Sequence, residues 1–486
     1  MAGSACADGF LTGPKPLRAI VRCDVRQAAE AVNRRLLGMC AMYPPFDEAY
    51  AGLMRPSLRG ASVRLWANSF EESYWQQFMP FVKGVAPAEI YGCRLLVRHD
   101  EQVRYGGPRD HNLEDYQTPE HLAMLVGFLN KQAHPGFPDG YRIRYWEIWN
   151  EPEFSVNGAW PAEDYARYVL DCSRAVRAID PSVRIGACLT SSREWNEKVL
   201  GAIAREDVAA IDFVIEHHYD TAWFFALDTM GSYYGRLGFA EVMRPHVRRT
   251  QELLRRFSGG RWYLAVTEWN THPQTYGPPT QVSRDLTVAL HAAAMLQMYW
   301  EEGVRAAQYF LLRTDPTDRG DGAAENAHFS LTAQHADGSI VRRPTFYVFD
   351  WYGRYFRGRR VPVTTLGPTY LYTNPAWPGW KIHENVPMLA AAAAYDEKSG
   401  ALCLMLVNRH ADEPLAVRLE IAGMTPAAQA LRSTLTGEAP EAETPIVTED
   451  VPESLSFDSG ATVIEVPPHS FVALRVRNQG SSKQDE

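Results

Sequence analysis

Eight short apolar runs, each followed by a longer stretch of helical periodicity, recur along most of this chain, and few architectures accommodate that alternation. The runs are LLGMCAMY (36–43), SVRLWA (62–67), CRLLVRHD (93–100), RIRYWEIWNEP (142–152), VRIGACLT (183–190), DFVIEHHYD (212–220), WYLAVTEWN (262–270) and AAQYFLLRT (306–314). Their length and near-continuous apolar character suit strands covered on both faces, as parallel sheets require. Between them, segments such as 162–179 and 243–257 repeat apolar residues at three and four, the period of a helix packed along one face. The pattern predicts an α/β fold, a (β/α)8 TIM barrel. A doubly wound sheet would use fewer strands and a glycine-rich phosphate loop after the first, and no such loop follows residue 43.

Beyond TFYVFDWYGRYF (345–356), the expected last barrel helix, the pattern changes to short strand-like pieces divided by Gly, Pro, Asp and Glu. This predicts an accessory antiparallel β-sandwich. The expected organisation is an N-terminal segment 1–30 whose LRAIVRCDV stretch adds a strand to the sandwich, a barrel over 31–358, the sandwich over 359–478 and a polar, disordered tail over 479–486.

Composition narrows the classes of function. A net charge of −9 without a basic stripe argues against nucleic acid or an anionic membrane as partner. No apolar run approaches the roughly 20 residues of a membrane span. The seven cysteines are scattered and contain no CxxC pair, which argues against a disulfide framework or a structural zinc knuckle and favours a reducing compartment. The first residues lack a basic start and a long apolar core, so the expected location is the cytoplasm. Self-association into a homo-oligomer is compatible with all of this.

Two carboxylates stand out. The fourth run ends in Asn150-Glu151-Pro152, and Pro152 cannot continue a central ladder, so Glu151 is expected at the C-terminal rim. Glu268, in AVTEWNTH, ends the seventh run in the same way. TIM-barrel chemistry takes place at that rim. Two carboxyls facing each other, one protonated and one ionised, are what glycosidic bond cleavage needs. Other residues ask for a role by position alone. His217 and Tyr219 are two apart on the sixth strand and share a face. Arg64 sits between Val63 and Leu65 inside an apolar strand and needs a partner.

WNEP on the fourth strand with TEWN on the seventh resembles clan A of the glycoside hydrolases, the retaining "4/7" barrels. Within the clan, YWEIWNEPEF, IDFVIEHHYDT and AVTEWN are most similar to glycoside hydrolase family 39, and the flanking sandwich also resembles that of family 51. The resemblance implies Glu151 as acid/base and Glu268 as nucleophile. It implies that Asn150 contacts the sugar 2-hydroxyl, that Tyr219 hydrogen-bonds the nucleophile beside His217, and that Arg64 supports the nucleophile's carboxylate. His99, Asp100, Trp66, Trp149, Trp269, Tyr309 and Arg313 are expected to line the cleft or to pack near it. Loops 101–118, 220–242 and 313–330 are where specificity would reside.

The expected activity is retaining hydrolysis of an oligosaccharide or polysaccharide, β-xylosidase-like, with an α-L-arabinofuranosidase or galactofuranosidase as the alternative. The chemistry requires carboxylates and water and no cofactor or metal. A metal-dependent barrel hydrolase built on His99, His217 and His218 lacks the His-x-His expected on the first strand. A non-catalytic sugar-binding protein would have lost one carboxylate, and both are present.

Overall fold

The computed structural model describes residues 11–12, 17–41, 46–67, 75–93, 118–131, 142–152, 160–220, 229–271, 285–313, 330–334, 339–372 and 383–481. After β1 (Leu11–Thr12) and β2 (Arg18–Asp24), eight parallel strands close into a barrel: β3 (Gly38–Cys40), β4 (Ser62–Trp66), β5 (Glu89–Cys93), β6 (Tyr145–Ile148), β7 (Arg184–Cys188), β8 (Phe213–Asp220), β9 (Tyr263–Thr271) and β10 (Ala306–Tyr309). Closure is the pairing of β10 with β3. Gly38 permits it, because a Cβ there would collide with the Ala307 carbonyl of β10.

The helices are α1 (Glu48–Leu58), α2 (Met79–Val85), α3 (Pro119–Lys131), α4 (Ala162–Ile179), α5 (Arg193–Asp207), α6 (Thr229–Ser258), α7 (Leu286–Glu301) and α8 (Pro344–Tyr355). Helix α4 shows why the periodic segments fold as they do. Its buried residues Tyr165, Ala166, Val169, Leu170, Cys172, Ser173 and Val176 form one stripe against the barrel. Helix α7 differs: residues 286–300 are buried all round. It starts on Asp285, whose side chain accepts from the Val288 N–H, and it packs between the barrel and the second domain. There Gln297 donates to the Tyr352 hydroxyl and to the Met405 carbonyl.

One strand departs from expectation. The third was expected over 93–100, but β5 begins earlier, at Glu89. Residues 94–100, with His99 and Asp100, lie outside the described residues. The reason is a buried charge. Glu89 opens the strand and is paired with Arg35 and Arg305, so a segment that looks polar is interior.

The C-terminal strands are β11 (Thr332–Gln334), β12 (Ile340–Arg342), β13 (Arg359–Val361), β14 (Val363–Leu366), β15 (Thr369–Tyr372), β16 (His383–Pro387), β17 (Leu389–Asp396), β18 (Ala401–Asn408), β19 (Leu415–Ala422), β20 (Pro426–Thr436), β21 (Ile446–Ser454), β22 (Ala461–Val466) and β23 (Ser470–Asn478). Two sheets form the sandwich, ordered β13-β17-β18-β23-β20-β21 and β14-β2-β19-β22. It is not wholly antiparallel: β2 pairs with β19 in parallel. A strand arriving from the far end of the chain is not bound by hairpin geometry, which forces antiparallel pairing only on consecutive strands. Trp351 and Tyr352 of α8 stack on Phe471 of β23 and fix the sandwich against the barrel.

Candidate active site

Strand β6 ends at Ile148, and the chain then leaves the ladder. Trp149 and Glu151 have φ of +78° and +46°, a left-handed region that non-glycine residues avoid at about 1–3 kcal/mol each. The consequence is a broken alternation. Glu147 faces the lumen, and a period of two would send Trp149 there as well. Instead the Trp149 ring packs edge-on against Trp160 and Tyr168, with centroids 5.1 and 5.7 Å away. Asn150 and Glu151 turn inward in its place.

Arg64 organises this inner layer and is fully buried. Its Nε donates to both Glu147 carboxylate oxygens at 3.0 and 3.1 Å, and its Nη2 donates to Glu147 at 2.8 Å and to the Asn150 amide oxygen at 3.0 Å. Its Nη1 donates to Glu268 Oε1 at 2.5 Å. The other Glu268 oxygen accepts from the Tyr219 hydroxyl at 2.7 Å. His217 Nδ1 lies 2.8 Å from Glu151 Oε1 and 3.7 Å from Glu268 Oε2. One oxygen of Glu151 and one of Glu268 are within 4.8 Å of each other. Retaining glycosidases hold their carboxyls ~5–5.5 Å apart, and inverting ones leave ~6.5–9.5 Å for a water.

The two carboxyls differ in surroundings. Glu268 is 8% exposed at its side chain and Glu151 is 27% exposed. Burial pushes Glu268 upward, but the His217 charge, the Arg64 charge and the Tyr219 hydroxyl outweigh it and hold the group below the usual carboxylate range. It therefore stays an anion. Burial lowers His217, and the charge of Glu268 with the Glu151 hydrogen bond more than reverses this, so the imidazole sits above its ordinary value. Arg64 remains charged, since the nearby carboxylates offset its desolvation. The arrangement presents one anion held by two donors beside a second, more accessible carboxyl that shares a hydrogen with an imidazole.

Glu151, His217 and Glu268 each offer a ligand atom within 4.8 Å of the others. The Arg64 guanidinium already occupies Glu268, and its charge opposes a second cation there. His218 faces away from the lumen and contacts Glu216 and Tyr299.

Several expected cleft residues lie elsewhere. Trp269 follows Glu268 on the strand, so it faces outward, fully buried against Tyr299, Tyr309 and Phe349. Tyr309 also packs on Phe349 and donates its hydroxyl to Asn270. Trp149 is turned out as described. Arg313 is buried over the rings of Phe46 and Tyr50. Trp66 stays near the site, with the Arg64 guanidinium 4.9 Å above its ring. His99, Asp100 and most of the three long loops lie outside the described residues. Glu147 and Thr267, which joins Glu147 to His217 through its hydroxyl at 3.3 Å each, were not singled out in the sequence. Glu147 carried the same signal as Arg64, a charge inside an apolar strand.

Comparison with known proteins places this geometry. The model described as glycosyl hydrolases family 39 matches residues 141–355, and that of the alpha-L-arabinofuranosidase C-terminal domain matches 326–470. An intracellular exo-alpha-(1->5)-L-arabinofuranosidase from Acetivibrio thermocellus is 21% identical over 315 residues, covering 60% of this chain and 57% of its own. One of the same name from Streptomyces lividans is 32% identical over 99 residues, covering 18% of this chain and 14% of its own. The chain thus spans little more than half the length of the first of these. Among solved structures, an arabinofuranosidase of family 51 from Xanthomonas axonopodis pv. citri superposes with a TM-score of 0.71 at 16% identity, covering 95% of this chain and all of that one. The alpha-L-arabinofuranosidase of Thermotoga maritima, in complex with arabinose, superposes at 0.72 and 17% identity, covering 94% and 99%. These likenesses show the fold. With the family match and the strand-four and strand-seven carboxylates, the chain carries a clan A glycoside hydrolase domain related to families 39 and 51.

Proposed function

We propose that this clan A chain is a retaining exo-acting α-L-arabinofuranosidase. The observation that carries the retaining chemistry is the separation of Glu151 and Glu268, whose nearest oxygens lie within 4.8 Å. Glu268 attacks the anomeric carbon as Glu151 gives its proton to the departing glycosidic oxygen. Glu268 is then bonded to the sugar, and the C–O bond to the leaving group is broken. In the second step Glu151 takes a proton from water, the water oxygen bonds to the same carbon, and Glu268 is released. Two inversions return the original configuration. Arg64 and Tyr219 bind both Glu268 oxygens before and after the attack, and His217 orients Glu151.

The choice of sugar rests on the relatives. The matched C-terminal domain and the named relatives favour the arabinofuranosidase alternative over the β-xylosidase-like activity expected from the sequence. Those relatives are also called intracellular, and we extend that location to this chain. No helix among the described residues is long and apolar enough to cross a membrane. The substrate class is a short arabinose-bearing oligosaccharide or polysaccharide end.

A panel of 4-nitrophenyl glycosides tests the reading. The α-L-arabinofuranoside is expected to be cleaved fastest, with the first-formed sugar retaining its configuration by NMR. Faster turnover of the β-D-xylopyranoside or the β-D-galactofuranoside would replace the assigned sugar, and an inverted product would refute the mechanism.

A further inference from the structure

The outer face of β8 carries a second cluster, back to back with the catalytic one. Glu216 and His218 flank His217 in sequence, and both face the helix layer. Glu216 Oε2 lies 2.9 Å from His218 Nε2 and 3.1 Å from His246 Nε2, the latter on α6. All three ligand atoms lie within 4.8 Å of one another. Side-chain exposure is 4% for Glu216, 2% for His218 and 29% for His246.

We propose that Glu216, His218 and His246 form a zinc site that clamps β8 to α6. The ligand set of two imidazoles and one carboxylate suits zinc, a borderline ion that takes tetrahedral nitrogen and oxygen ligands. At bond lengths of ~2.0–2.1 Å, tetrahedral ligand atoms stand roughly 3.3 Å apart. The observed 2.9 and 3.1 Å require the side chains to part by only a few tenths of an ångström.

The site is also built behind its ligands. His218 Nδ1 is 3.0 Å from the Tyr299 hydroxyl of α7. With Nδ1–H donating to Tyr299, Nε2 carries the lone pair that an ion needs. The second Glu216 oxygen accepts from the Thr250 hydroxyl at 2.6 Å, which fixes the carboxylate plane. Such outer contacts orient ligands at metal centres. His246 and Thr250 line a cavity of about 250 Å³, shared with Glu252, Arg193, Arg249 and Arg256. The cavity provides an entrance and room for a fourth ligand, and the three arginines favour a hydroxide or chloride there over neutral water.

The ion would take no part in the reaction. Its ligands sit on the opposite face of β8 from His217 and Tyr219, so its effect is to hold the strand that presents both. The inference does not depend on which sugar is cleaved.

The experiment uses the full chain, stripped with chelator and titrated with zinc chloride by calorimetry, with metal analysis after dialysis. One zinc per chain and a rise in Tm are expected. His246→Ala should weaken binding about a hundredfold or more and remove the Tm rise, leaving kcat unchanged. His217→Ala should bind zinc as the wild type does. If His246→Ala does not fold, zinc-edge X-ray absorption of the wild type takes its place, with two imidazoles expected in the first shell. Failure to retain zinc, undiminished binding in His246→Ala, loss of binding in His217→Ala or a shell without imidazole would each overturn the proposal, leaving a carboxylate merely neutralised by its histidines.

Discussion

Glu147 offers the sharpest test of how the site is held, because no substrate contact complicates it. It is fully buried and makes three hydrogen bonds to Arg64. Arg64 thus serves two carboxylates, Glu147 and Glu268. Glu147→Gln removes one of the two carboxylates that balance the buried Arg64 charge. Breaking one side of a buried ion pair costs ~3–5 kcal/mol. Since Glu268 still faces Arg64 and glutamine keeps one acceptor, the lower end applies, about 3 kcal/mol. An exposed pair such as Arg193–Glu197 is worth ~0–1 kcal/mol and serves as control. Catalysis should fall as well. With Arg64 released from Glu147, Glu268 is held more tightly and attacks less readily, and a barrier rise of ~1.4 kcal/mol is tenfold in kcat. The acid limb of the pH–rate profile should move to lower pH, because Glu268 then shares Arg64 with an uncharged amide instead of a second carboxylate. The assays are thermal denaturation alongside Glu197→Gln and a pH profile of kcat. A variant as stable as wild type, with an unmoved acid limb, would refute the assignment of Glu147 as the positioning counter-ion.

Other outcomes follow from the same geometry. Glu268→Ala and Glu151→Ala should each abolish turnover, with azide rescuing them to products of opposite anomeric configuration; wild-type-like activity in either contradicts the roles proposed. Tyr219→Phe removes one donor from Glu268, so the acid limb of kcat/KM should shift upward, and an unmoved limb would show that the hydroxyl does not hold the anion. In stability, Glu268 has a depressed value, so its contribution is present above the unfolded ~4.3 and is lost as pH falls through the folded value. His217 is raised, so its contribution is present below ~6.5 and fades as pH rises through the folded value. Thermal melts from pH 3 to 9 should therefore show Glu268→Gln losing its penalty at the acid end and His217→Ala at the alkaline end. Trp269→Phe, in the helix layer, should lower Tm with KM unchanged, and a KM effect would return this residue to the cleft.

What the chain determines by itself is periodic or local. Strand-length apolar runs alternating with helical stripes specify the barrel, because such strands need cover on both faces and each helix supplies one apolar stripe to cover them. Asn150-Glu151-Pro152 marks a strand end because proline cannot donate to a ladder. Two-residue spacing puts His217 and Tyr219 on one face, and the structure brings them to Glu151 and Glu268 respectively. What only the tertiary structure decides is non-local or depends on a local break in period. Glu147 acquires its meaning from Arg64, 83 residues away in sequence. Glu89 reads as polar until Arg35 and Arg305 close around it. Trp149 and Trp269 look like sugar platforms from their motifs. A left-handed φ turns the first outward, and simple alternation beside Glu268 turns the second. The parallel pairing of β2 with β19 joins opposite ends of the chain, and no local pattern encodes it. Backbone period is a property of neighbours in sequence, whereas charge pairing and side-chain facing are settled only when distant strands meet.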